Sequence, residues 1–113
     1  MVATNKLLAA PPYPVEQALK RLGSNLRGAR IRRRLTIAEV AEKIGTGTRA
    51  VADAEKGKPS TGIATYAALL WIFGFVEDLG LIADPLRDSE GLALSFAREP
   101  SRVRHRSDLD NDF

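Results

Sequence analysis

Leu35 to Gly57, LTIAEVAEKIGTGTRAVADAEKG, constrains the fold of this chain more than any other stretch, because it sets two short helical patterns around a Gly-Thr-Gly turn. Thr36 followed by Glu39 is a capping box, in which the hydroxyl takes an amide near the start of a helix and the carboxylate reaches back to the cap. Val40, Ala41 and Ile44 then recur as the inward face of that helix. Gly45 supplies the backbone freedom that a helix end needs. The next helix starts near Gly47 or Thr48, takes Val51 as its main core anchor, and stops at Gly57 and Pro59.

The flanks supply the rest of a helical core. Val15, Leu19, Leu22, Leu26 and Ala29 fall at spacings of three and four, which predicts a helix over 15–33 with one buried stripe. Ser60 and Thr61 are candidate caps for a helix from about Gly62 to Phe73, with Ile63, Tyr66, Leu69, Leu70 and Phe73 on one face. Trp71 is read as core beside Phe73 and Phe75. A short helix over 76–83 ends before Asp84 and Pro85, since the residue before a proline is driven from helical geometry. Leu92, Leu94 and Phe96 leave 88–99 open between helix and strand. The class is all-α, with a flexible arm over 1–14, a domain over 15–84, an extension over 85–99 and a disordered tail over 100–113.

Several functions are excluded by what the chain lacks. There is no cysteine, so thiol metal sites and disulfides are out, and the composition fits a reducing, cytoplasmic location. The longest apolar run, Ala67 to Val76, is far short of the roughly 20 residues a membrane span needs. His105 is the single histidine and lies in the polar tail, without a patterned carboxylate or nucleophile nearby. No catalytic residue, cofactor or metal is expected.

Charge carries more information than its total. The chain is only +3, but Lys20 to Lys58 holds eleven Lys and Arg against four acids, a net of +7, and the remainder is −4. One basic half and one acidic half imply one face for a polyanion and another surface for something else. A helix, a tight turn and a second helix in a basic block form the pattern of a helix-turn-helix, whose second helix usually enters the major groove of DNA. Arg49 is its strongest candidate for a base contact, because a guanidinium can bond both acceptors of guanine. Asp53 could accept from a cytosine amine, but it also repels phosphate. Arg30, Arg32, Arg33 and Arg34 could track phosphates, and they equally suit the negative end of the first helix.

Arg30, Leu35, Thr36, Ala41, Gly45, Val51, Glu55 and Gly57 together resemble the Xre/Cro-C1-type helix-turn-helix family over about Leu22 to Phe75. The resemblance implies a compact five-helix, lambda-repressor-like bundle. It places Thr48, Arg49, Ala52 and Asp53 at base-facing positions, with Thr46, Lys56 and Lys58 completing the DNA-facing set. Arg30 and Glu55 become a structural pair tying the first helix to the loop after the third. Two positions depart from the family pattern: Ile37 stands where a phosphate-binding glutamine is usual, and Arg34 where a glycine is usual.

The segment PSTGIATYAALLWIFGFVEDLGLIA, 59–83, is similar to HipB-like antitoxins, which bind operator DNA as homodimers and hold a HipA-like Ser/Thr kinase toxin. That resemblance implies an autorepressor acting as the antitoxin of a type II toxin-antitoxin pair, dimeric through helix five and the Leu86 to Phe96 segment. The alternatives are a protein-interaction module that binds a toxin with little DNA binding of its own, and a solitary phage-type repressor. Ile37, Ala50 and Ala52, short or apolar where amides are usual, motivate the first of these.

Overall fold

Thr36 and Glu39 cap each other as their spacing requires: the Glu39 amide donates to the Thr36 hydroxyl at 3.0 Å, and the Thr36 amide to the Glu39 carboxylate at 2.8 Å. This box opens the third of seven helices in the computed structural model, which describes residues 5–98. They are α1 (Lys6–Ala9), α2 (Tyr13–Arg32), α3 (Ile37–Ile44), α4 (Thr48–Glu55), α5 (Ile63–Ile72), α6 (Val76–Leu79) and α7 (Ser89–Arg98). No strand occurs among the described residues, so the protein is all-α there. The chain divides into two units, Met1–Gly80 and Leu81–Phe113.

Four helices of the first unit end by one device. A left-handed residue follows each helix, and the next amide reaches back five residues: Leu35 to the Arg30 carbonyl, Thr46 to Ala41, Lys58 to Asp53 and Phe75 to Leu70. The left-handed residue is glycine after α3, α4 and α5, but Arg34, with φ of 56°, after α2. A side chain there carries a steric cost that glycine does not.

The core gathers Leu26 and Ala29 of α2, Val40 and Ala41 of α3, Val51 and Ala54 of α4, and Tyr66 and Leu69 of α5 with Phe73 just beyond it. Gly23 lets α2 lie directly on the end of α4. A Cβ at Gly23 would stand 2.5 Å from the Ala54 carbonyl oxygen and 2.7 Å from both the Glu55 carbonyl oxygen and the Gly57 amide. Gly57 makes the reciprocal approach, where a Cβ would overlap the Leu19 carbonyl. Backbone therefore meets backbone at this crossing.

Several sequence expectations are corrected. Val15 is exposed, because α2 begins at Tyr13 and its first turns project beyond the core. Ile63 and Trp71 are 71% and 61% exposed, so neither belongs to the buried face. All ten residues of α5 are uncharged and only Thr65, Tyr66 and Trp71 carry a polar side-chain atom, so the helix gives little periodic signal of which side is inward. Ser60 and Thr61 do not cap α5; Gly62 precedes it without a side-chain hydrogen bond. The helix expected over 76–83 stops at Leu79, and Ala83 takes a left-handed φ of 62°. Within the expected arm, Asn5 caps the single turn α1 by accepting from the Leu7 amide at 3.0 Å. The tail over 100–113, with His105, lies outside the described residues.

In the second unit, 89–98 forms a helix rather than a strand. Asp88 accepts from the Gly91 amide at 2.9 Å, a local bond of the kind that starts helices. No residue of α7 is buried, and Leu86, Leu94 and Phe96 are all exposed.

The capping box gives a test of the turn at the start of α3. Thr36→Ala is expected to cost about 1 kcal/mol, read as a lower midpoint in urea unfolding. The Glu39 carboxyl is held below the usual carboxylate range, first by the Thr36 amide and then by its hydroxyl. A depressed folded pKa adds stability that is present above the unfolded value and lost as the pH falls through the folded one. The gap between Glu39→Gln and the parent should therefore close on acidification.

Candidate nucleic-acid interface

Val51 and Ala54 point from α4 into the core with no exposure, which turns Thr48, Arg49, Ala52 and Asp53 outward on the opposite side of an eight-residue helix. These four line one shallow, open depression with Lys56, Lys58 and Ile37. Six of the seven DNA-facing residues expected from sequence are thus brought together. Thr46 does not line it: it sits in the turn, its amide spent on the Ala41 carbonyl at 2.9 Å. Ala50, on the flank of α4, is half-buried and outside the depression.

The charges within the depression are arranged around Asp53. Arg49 Nε lies 3.9 Å from Asp53 Oδ2, one helical turn away, and Lys58 Nζ lies 3.2 Å from Oδ1. The Arg49 side chain is 88% exposed against 23% for Asp53, so the arginine is the more available of the two to a ligand. Lys58 is fixed at its backbone, for its amide donates to the Asp53 carbonyl and its carbonyl accepts from the Tyr66 hydroxyl at 3.0 Å. Burial pushes the Tyr66 phenol above its ordinary value, which keeps the donor protonated.

Ile37 lines one edge of the depression while packing against the core cluster. It can offer apolar contact but no hydrogen bond to phosphate. Ala52 likewise has only a methyl to offer, which suits the methyl of thymine.

The frame behind the depression is ionic as well as apolar. Arg30 Nε and Nη2 donate to the two Glu55 oxygens at 2.6 and 3.0 Å, and Nη1 donates to the Leu35 carbonyl at 2.9 Å. Their side chains are only 12% and 7% exposed. The hydrogen bonds donated to Glu55 raise the Arg30 guanidinium above its ordinary value, outweighing the opposing effect of burial. One residue thus joins the end of α2, the turn before α3 and the end of α4.

The arginine cluster at the end of α2 is not a single phosphate track. Arg30 is committed to Glu55, and Arg33 donates to the Ala29 carbonyl at 2.9 Å and the Phe73 carbonyl at 3.1 Å. Its guanidinium also lies over the Phe73 and Phe75 rings, at 5.2 and 5.8 Å from their centroids. Arg33 closes the ends of two helices at once, a role hidden in sequence because its partner lies forty residues away. Gly23 was missed from the sequence; the signal it carries is that a glycine inside a helix costs about 1 kcal/mol relative to alanine and marks a place where something packs closely.

No helix of the described residues is long and apolar enough to cross a membrane, and among them no group of three or more His, Cys, Asp or Glu could hold a metal ion. No protein-family model, curated protein or solved structure matches this chain.

Proposed function

We propose that the protein is a sequence-specific DNA-binding repressor that uses α4 as its recognition helix. The observation carrying this reading is the basic depression itself: Thr48, Arg49, Ala52, Asp53, Lys56 and Lys58 converge on the outward side of a helix held from behind by α2. Arg49 reads a guanine through its O6 and N7 acceptors, Ala52 meets a thymine methyl, and Lys56 meets a phosphate. One arginine per protomer gives little discrimination, so the active species is a homodimer on a palindrome, with half-sites about 34 Å apart. Following the resemblance to HipB-like proteins, the specific role is that of an autorepressing antitoxin paired with a HipA-like kinase.

Arg49→Ala is expected to relax sequence preference at one base pair by about 1 to 3 kcal/mol while leaving most of the affinity, as read by competition between duplexes mutated one position at a time. Affinity of the parent should fall steeply as salt rises, because each neutralised phosphate releases counterions. An Arg49→Ala protein with unaltered preference would sink the assignment.

A second reading is favoured by the second unit. Leu81, Ile82, Leu86, Leu92, Leu94 and Phe96 are all exposed there, a run of apolar side chains suited to a protein partner. In that reading the chain binds a toxin and contacts DNA weakly by itself. Gel shifts with and without the product of the neighbouring gene separate the two, since binding only in the complex favours the module. The absence of a kinase gene beside this one would instead favour a solitary phage-type repressor.

A further inference from the structure

Asp53 has the wrong sign for a surface that meets phosphate, yet it stands at the centre of the depression with a cation on each oxygen. We propose that Asp53 is the selectivity element of the interface, an internal counter-ion that holds Arg49 back from phosphate and releases it to guanine. The proposal rests on the DNA-binding reading given above.

The two ion pairs differ in how easily they open. Lys58 Nζ lies at 3.2 Å on a side chain that is 42% exposed, so it is the closer and better covered of the two cations. Arg49 lies at 3.9 Å on a side chain that is almost fully exposed, so it is held by charge alone and leaves readily. A phosphate that captures Arg49 brings its own negative charge next to Asp53, and like charges in close contact are strongly penalised. A guanine offers two acceptors and no formal charge, so the same arginine can move to it without that penalty. Asp53 therefore weakens binding to arbitrary sequence more than binding to a site with guanine in register, which is discrimination by an introduced repulsion.

The test compares the full-length protein with Asp53→Asn and, as a second neutral variant should the first not fold, Asp53→Ser. A duplex selected by the parent protein from a random pool and a scrambled duplex of equal length are titrated by fluorescence anisotropy over a range of salt concentrations. The neutral variant is expected to bind the scrambled duplex about tenfold more tightly and the selected duplex less than about threefold more tightly, with the salt slope on the scrambled duplex steeper by about one per protomer. An equal gain on both duplexes overturns the proposal while leaving DNA binding intact, because it would show a plain change of net charge. Failure of the parent to select any sequence at low salt overturns the repressor reading and this proposal with it.

Discussion

Gly23→Ala is expected to destabilise the first unit by about 3 kcal/mol or more, a large share of the roughly 5 to 15 kcal/mol that holds a small domain folded. The new methyl would meet three backbone atoms of α4 and its following turn at 2.5 to 2.7 Å. None of these can rotate away as a side chain would, so α2 and α4 must separate, and the contact of Leu26 and Ala29 with Val51 and Ala54 is lost with them. Gly28→Ala, five residues on in the same helix, is the control. Its Cβ would meet only the flexible end of Arg32, at 3.1 Å. Removing a glycine from a helix interior there should stabilise by up to about 1 kcal/mol. Opposite signs in urea unfolding of the two variants check the backbone-to-backbone crossing; equal signs would contradict it.

Glu55→Ala carries the second large effect. It leaves the Arg30 guanidinium nearly buried with only the Leu35 carbonyl as partner, and removing one member of such a pair costs about 3 to 5 kcal/mol. The double variant Arg30→Met with Glu55→Leu should recover much of that loss, since no stranded charge remains. Raising the pH is not an alternative way to break the pair from the arginine side. A raised folded pKa contributes stability that is fully present below the unfolded value and lost only as the pH rises through the folded one, and both lie in strongly alkaline solution. Thermal unfolding of Arg30→Met, Glu55→Leu and the double forms a cycle whose coupling term reads the pair directly.

The parts of the molecule legible in its sequence are those governed by neighbours in the chain. Thr36 and Glu39, Gly45 and Gly57 act within one helical turn, and each takes the role its spacing implies. Long-range partners leave no such trace. Arg33 and Phe73, or Lys58 and Tyr66, meet only because the core places them together, and no periodicity announces it. Arg30 and Glu55 came through family resemblance rather than through spacing. Trp71 and Ile63 differ from expectation for another reason: where nearly every position of a helix is apolar, hydrophobicity says that the helix is wanted inside but not which side. In the depression, the outward set on α4 came through the family resemblance, whereas the engagement of Asp53 by two cations depends on the folded turn after α4 and has no trace in the sequence.

Because α4 is positioned by Val51, Ala54 and the backbone crossing at Gly23 and Gly57, its outward residues contribute little to holding the domain together. Thr48, Arg49 and Ala52 can be exchanged almost independently of folding, so that a library varied at these three positions should yield mostly folded proteins with different binding preferences. A lineage built on this frame could vary the outward surface of α4 without first gaining stability to spare, and on the proposed reading its members would diverge fastest at the residues that face DNA.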